Sequence, residues 1–380
     1  MSFLIYPIVF SFSCGLLYLS DRVIKKQRGA IVFFALLIPS FVFGCRDYSM
    51  GYDVLHYGNR YFEMATKMNT FEYIEWMSDR QIEPLYTLLN KFVSYFTSNP
   101  NVLYIVQTFI ILYLIYLVAK DNGYPSDVCV FSFFGFMLID SFNILRQYLA
   151  MAVILYSYIF IRRKKIIKYV ICIIIGIGFH STAIIGLFFW PLSKILSNFK
   201  SVDIINSIKN DKKVKKRILI IGIIALLIVF NFNQLSSLLI QIGIFPERYV
   251  FYETMSITTI AISSLISRFP LLILFIIRFY KNEQKSNSDY YFLLTMLIIE
   301  IVLSQLGSLG SVYLRIAYYF AFFRILVSGK ICTKDIKNNN RLLTPTAFRI
   351  LTYSYIFLYF ILVYFIVNDE GFYSSTILGI

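Results

Sequence analysis

Histidine, the side chain best suited to moving a proton near neutral pH, occurs twice in the 380 residues, at His56 and His180. His180 lies in Gly178-Phe179-His180-Ser181-Thr182-Ala183, where one apolar run gives way to the next. A histidine there can cap a helix or serve as a hydrogen-bonded structural group; it can equally act as a general base. His56 sits in a polar stretch, where a plain surface role competes with any functional one. Arginines inside apolar runs are more informative, because a cation in hydrocarbon costs at least about 2.5 kcal/mol and must face a polar cavity or a partner. Arg146 occurs in Phe142-Asn143-Ile144-Leu145-Arg146-Gln147, and helical spacing gathers Asn143, Arg146 and Gln147 on one face. Its own helix offers it no nearby acidic residue. Arg315 lies near the outer end of its run, and Arg46 with Asp47 stands where the second run emerges. A guanidinium presents a planar fork of donors that matches phosphate oxygens and stays charged when partly desolvated. Several at one depth could grip a diphosphate. Arg268 and Glu300, at matching depths of neighbouring runs, are expected to neutralise each other instead.

These residues need elements to hold them, and composition says which kind. Hydrophobic residues make up 58% of the chain and charged ones 15%, a balance that suits a bilayer better than water. Apolar runs near 2–20, 29–45, 100–119, 127–140, 142–161, 166–182, 183–199, 218–237, 258–279, 290–308, 312–329 and 346–367 predict an all-α polytopic membrane protein of about twelve transmembrane helices. The first run lacks the features of a cleavable leader and is expected to remain as a span. The formal charge of +15 comes from short clusters around 22–28, 162–168, 200–217, 278–285 and 330–341. All of these fall on the cytoplasmic side if the N-terminus faces out, as the positive-inside rule requires. That placement sets aside a nucleic-acid partner. It also leaves residues 46–99 as a long extracytoplasmic loop within one transmembrane domain spanning 1–380, with no repeat or linker to divide it.

Within the loop, Asp53, His56, Tyr57 and Arg60 recur at helical spacing and would share one face. Ile82-Glu83-Pro84-Leu85-Tyr86 opens an amphipathic or re-entrant helix, with Pro84 in its first turn. The carboxylates Glu63, Glu72, Glu75 and Asp79 have no metal-ligand spacing. The five cysteines stand singly. Neither a metal nor any other cofactor is expected.

At the residues just described the chain resembles the EpsG family of exopolysaccharide polymerases, relatives of the Wzy O-antigen and capsule polymerases. The matching pieces are Arg46 with Gly51-Tyr52-Asp53 and Tyr57; Glu83-Pro84-Leu85-Tyr86; Asn143 to Ala150; Phe179 to Ala183; and Arg315 with Tyr318-Tyr319-Phe320. They run in order over most of the chain. Tyr52 stands where a small residue is typical between the glycine and the aspartate. The resemblance implies a glycosyltransferase of the bacterial cytoplasmic membrane that joins undecaprenyl-diphosphate-linked oligosaccharide repeat units on the extracytoplasmic side. A chain-length regulator is left open as an accessory partner. It implies His180 or Asp53 as base, Arg146 and Arg315 on the diphosphate, Arg46 in positioning, and Asn143, Gln147, Tyr57 and Glu83 as further substrate contacts. An O-antigen ligase using the same donor, and a lipid-linked oligosaccharide flippase, are the competing readings. Against the flippase stand the one-sided polar loop and the absence of repeated halves.

Overall fold

A computed structural model describes residues 3–197, 241, 262–279, 288–305, 311–333, 344–367 and 372–379. The apolar run at 218–237 and the basic cluster at 200–217 lie outside the described residues, as do parts of the clusters at 278–285 and 330–341. Every described element is helical. The elements are α1 (Ile5–Ser20), α2 (Lys25–Gly44), a π-helical turn (Val54–Gly58), α3 (Asn59–Lys67), α4 (Thr70–Ser78), α5 (Pro84–Ser94), α6 (Pro100–Asp121), α7 (Ser126–Asn143), α8 (Leu145–Arg162) and α9 (Ile166–Phe179). A 3-10 segment (Ser181–Phe188) leads to α10 (Phe189–Ser197). Later come α11 (Ile262–Phe279), α12 (Ser288–Gln305), α13 (Ser311–Ala321), α14 (Arg324–Ile331), α15 (Pro345–Phe360) and a second π-helical turn (Ile361–Val367).

Among the described residues, Lys26–Gly44, Pro100–Asp121, Ser126–Asn143 and Pro345–Val367 are long and apolar enough to cross a membrane, with shorter apolar helices at Ile5–Ser20, Ile166–Phe179 and Ser181–Ser197. The run expected at 312–329 breaks at Phe322 and Phe323 into α13 and α14. Element boundaries follow local chemistry. Pro occupies the first turn of α5, α6 and α15, where its missing N–H costs nothing. Asn69 and Glu72 form a reciprocal capping box on α4. At the end of α6, Gly123 takes φ +68, and the Tyr124 and Gly123 amides donate to Ala119 and Lys120, closing the helix in a left-handed cap.

The chain falls into two compact units. The first holds Met1–Ile184, Phe322–Asp335 and Arg341–Ile380. Its centre is α7, buried over most of its length and packed by α1, α14 and α15, while α8 packs between α6 and α9, as expected of helices apolar on nearly all sides. Phe10 of α1 stacks on Phe134 of α7 at 4.7 Å. Residues 46–99 are mostly helical, and one apolar cluster of Val54, Phe62, Val93, Leu103, Tyr104 and Leu145 fastens them to α6 and the start of α8. Lys91 is buried and donates to the Ala65 and Met68 carbonyls at 2.7 and 2.8 Å, placing a cation at the C-terminus of α3. The second unit holds Ile185–Ala321 and Ile336–Asn340. There Arg268 Nε donates to Glu300 at 2.6 Å, as their matching depth predicted.

The C-terminal residues return to the end of α2. Tyr373 donates to the Val42 carbonyl and Ser375 to the Cys45 carbonyl, both at 2.5 Å. The Asp47 amide donates to the Ser374 carbonyl at 2.9 Å, and the Asp47 carboxylate accepts from the Thr376 amide at 2.8 Å and hydroxyl at 2.9 Å. The Thr376 amide bond is the main reason the Asp47 carboxyl is held below its ordinary value. Removing the acceptor should therefore free the tail: Asp47→Ala is expected to speed protease cleavage within 372–379 in the detergent-solubilised protein at pH 7. Equal cleavage rates in the variant and the wild type would show that the latch carries no weight.

Candidate functional site

The site grows from a single-residue break between two buried helices. Ile144, at φ −129 and ψ 58, separates α7 from α8, with Asn143 on one side of the break and Arg146 on the other. Asn143 Oδ1 accepts the Tyr52 N–H at 2.8 Å. A Cβ on Gly51 would lie 2.6 Å from the Phe142 carbonyl oxygen, so only glycine lets this backbone approach the break so closely. Asp53 follows directly and is 8% exposed. Tyr52 points outward and stacks on His56 at 3.7 Å, which explains how a large side chain is accommodated between the glycine and the aspartate.

The π-helical turn decides which residues of the next stretch face inward. The Asn59 N–H donates to the Val54 carbonyl, a wider turn of a kind that recurs at functional sites. Asp53 and Tyr57 come together through a hydrogen bond between their side chains. Burial first, and then the Asp53 charge, raise the Tyr57 phenol well above its ordinary pKa, so it stays a neutral donor. His56 and Arg60 are exposed; of the four residues predicted to share a face, two turn inward and two outward.

Arg146, 8% exposed, forms an ion pair with Glu83, 7% exposed. Glu83 is the N-cap of α5, and its other oxygen accepts the Ser181 N–H at 3.2 Å. Burial penalises the Glu83 anion, but Arg146, His180, its own backbone amide and the Ser181 amide together outweigh that penalty and hold the carboxyl below its ordinary range. Arg146 also lies 5.6 Å from the Tyr57 ring centroid and 6.0 Å from that of Tyr86. His180, 2% exposed, ends α9. Its Nδ1 lies 2.7 Å from the Thr182 hydroxyl and 3.3 Å from the Thr182 amide. The amide contact favours a lone pair on Nδ1 and the proton on Nε2; with the proton on Nδ1, the hydroxyl becomes the acceptor and Nε2 the basic nitrogen.

Asp53, Tyr57, Glu83, Arg146 and His180 thus meet in one buried cluster, with Gln147, fully buried, next to Arg146. Arg46 is 2% exposed but occupied differently. It donates to the Phe43 carbonyl at 2.7 Å and the Met50 carbonyl at 3.3 Å, and its guanidinium lies 4.1 Å from the Phe142 ring. Burial pulls its pKa down to about 10, so it remains charged at neutral pH. Arg315, half-buried on α13, belongs to the second unit. The residue pairing with Arg146 lies 63 positions earlier in the chain, beyond any search of its own helix; an acidic residue set just before a proline at a helix start was the available signal. The tail contacts at Asp47 left no sequence signal. Among the described residues, no group of His, Cys, Asp and Glu could hold a metal ion.

A model of the EpsG family matches residues 29–376. No curated protein and no solved structure matches the chain.

Glu83→Gln keeps the shape of the cap and removes the charge that compensates Arg146. Breaking a buried pair from one side costs about 3–5 kcal/mol, and the melting temperature in detergent should fall accordingly. Because the Glu83 pKa is depressed on folding, its stabilisation is complete above the ordinary carboxylate range, near about 4.3, and is lost as pH falls through the depressed value. Wild-type stability should decline over that acid range more steeply than that of Glu83→Gln. Parallel acid limbs for the two proteins would rule out the linkage.

Proposed function

The chain belongs to the EpsG family, and from that premise we propose that it is a membrane polysaccharide polymerase joining undecaprenyl-diphosphate-linked oligosaccharide repeat units on the outer side of a bacterial cytoplasmic membrane. The observation that carries the proposal is the buried Arg146–Glu83 pair with His180 beside it. A permanent cation, a carboxylate and an imidazole share one water-poor site in a largely apolar helical protein.

The proposed reaction needs two things. The acceptor hydroxyl must lose a proton as its oxygen bonds to C1 of the donor sugar, and the diphosphate that leaves with the electrons of the broken C1–O bond must be met by positive charge. Arg146 suits the second task because its fork can hold two phosphate oxygens. Arg46 is proposed to hold the entry of the 46–99 segment in place. His180 or Asp53 takes the proton. Tyr57, held by Asp53, together with Asn143, Gln147 and Glu83, supplies donors and acceptors around the sugar. The basic clusters between apolar runs support an orientation with 46–99 outward, where lipid-linked substrates arrive after flipping.

Deleting the gene and resolving surface glycan by electrophoresis tests the assignment: a product with a single repeat unit is expected, and complete loss of surface glycan would favour ligation or flipping. In complemented cells, Arg146→Lys keeps the charge and loses the fork, and should cut polymer yield at least about tenfold; full yield would argue against bidentate phosphate contact. His180→Ala and Asp53→Asn separate the two bases. The residue whose loss abolishes chains longer than one repeat is the proton acceptor, and full-length polymer from both variants would remove the assignment.

A further inference from the structure

A row of aromatic rings leaves the buried cluster along α3 and α4. Tyr57 lies beside Arg146 at 5.6 Å. Tyr61 follows at 5.2 Å from Tyr57, tilted by 34°, and Trp76 stands edge-on to Tyr61 at 5.8 Å. Arg80 closes the row, its guanidinium 3.8 Å from the Trp76 ring centroid and one of its N–H groups donating to the Trp76 carbonyl at 2.8 Å. Tyr57, Tyr61 and Trp76 are each half-buried, while Arg80 is exposed. Fully buried Tyr73 backs Trp76 at 6.3 Å and fixes its ring from behind.

Stability alone does not call for this arrangement. Core aromatics are covered, as Tyr73 and Phe62 are, and an interfacial belt asks only that each ring sit at headgroup level. These three touch in sequence, keep part of each ring open, and have one end on the charge cluster and the other on an accessible cation. A sugar ring presents an apolar C–H face and a rim of hydroxyls. Tyr and Trp offer the matching combination of flat apolar surface and polar handle, and an exposed guanidinium can move aside or donate to a hydroxyl. The ring-to-ring spacing is comparable to the length of one hexose.

We infer that Tyr57, Tyr61, Trp76 and Arg80 form a glycan-binding platform on which successive sugars of the oligosaccharide lie, with the diphosphate end at Arg146. The inference rests on the polymerase reading for its direction. It adds Tyr61, Trp76 and Arg80 as residues that set affinity for sugar rather than drive the chemistry.

The chain has only two tryptophans, Trp76 and Trp190, so the full-length Trp190→Phe protein in detergent reports on Trp76 alone. The probe is a set of short oligosaccharides released by partial hydrolysis of the source cell's own surface polysaccharide. A saturable change in Trp76 emission at up to about 10 mM fragment, a weak-binding range, is expected. It should be lost in Tyr61→Leu and kept in Tyr61→Phe. With the lipid-linked repeat as substrate, Trp76→Leu and Arg80→Ala should each raise KM roughly tenfold with little change in kcat, while Trp76→Phe should stay near wild type. Unchanged emission, an equal response to dextran or to phospholipid vesicles without glycan, or an unaltered KM in both Trp76→Leu and Arg80→Ala would overturn the platform. Polymerisation by a wild-type protein that binds no fragment would sink this inference and leave the polymerase reading standing. Fragment binding in a protein whose gene deletion does not yield single-repeat glycan would do the reverse.

Discussion

The ion pair between Arg146 and Glu83 organises the first unit. It joins α8 to the start of α5, and through the Ser181 amide on the second Glu83 oxygen it draws in the end of α9. Three segments far apart in the chain therefore meet at one carboxylate. Taking two charges out of water costs several kcal/mol per ion, and a well-packed apolar pair of similar volume would often be as stable or more so. Keeping the charges here is poor economy for a fold built mostly of apolar helices, and it fits a site that must deal with a charged ligand.

What makes the pair possible is a scaffold that holds short helices rigidly against long ones. The apolar cluster from Val54 to Leu145 pins the π-helical turn, α3 and α5 onto α6 and α8, and Leu145 is the immediate neighbour of Arg146. On the other side of the break, Gly51 rests on the Phe142 carbonyl and Asn143 holds the Tyr52 amide. Asn101 ties the exit of α2 to α6 by donating to the Gly44 carbonyl at 2.8 Å, and the C-terminal residues latch Asp47. The 46–99 segment is therefore anchored at several points, and its polar groups can be aimed.

Much of this was legible because local signals and tertiary structure agree. Apolar run length located α1, α2, α6, α8 and α9 to within a few residues, and Pro84 marked the start of α5. Arg146 and His180 stood out because a cation in an apolar helix and a histidine between two such helices are costly without a reason. The pairing was not legible, because an ion pair between residues 83 and 146 depends on how helices pack, and no periodicity within either helix encodes it. The inward turn of Tyr57 and outward turn of His56 were hidden for a related cause. A π-turn advances the chain by a different angle from the α-helix assumed in reading the spacing.

Arg46 and Arg146, both buried in the first unit, carry the same charge but are not equivalent. Arg46 is held by the Phe43 and Met50 carbonyls and by aromatic faces. Drawing it toward a ligand would strand carbonyl oxygens at the buried end of α2, a cost comparable to losing a hydrogen bond for each. Arg146 is held by a carboxylate, which has the charge and the paired oxygens of the phosphate it is proposed to bind. Exchanging one oxyanion for another at Arg146 preserves its solvation, and the released Glu83 retains the Ser181 amide and the field of His180. Under the polymerase reading, Arg146 is therefore the cation able to engage and release a diphosphate, and Arg46 the one that keeps the surrounding backbone in place while it does so.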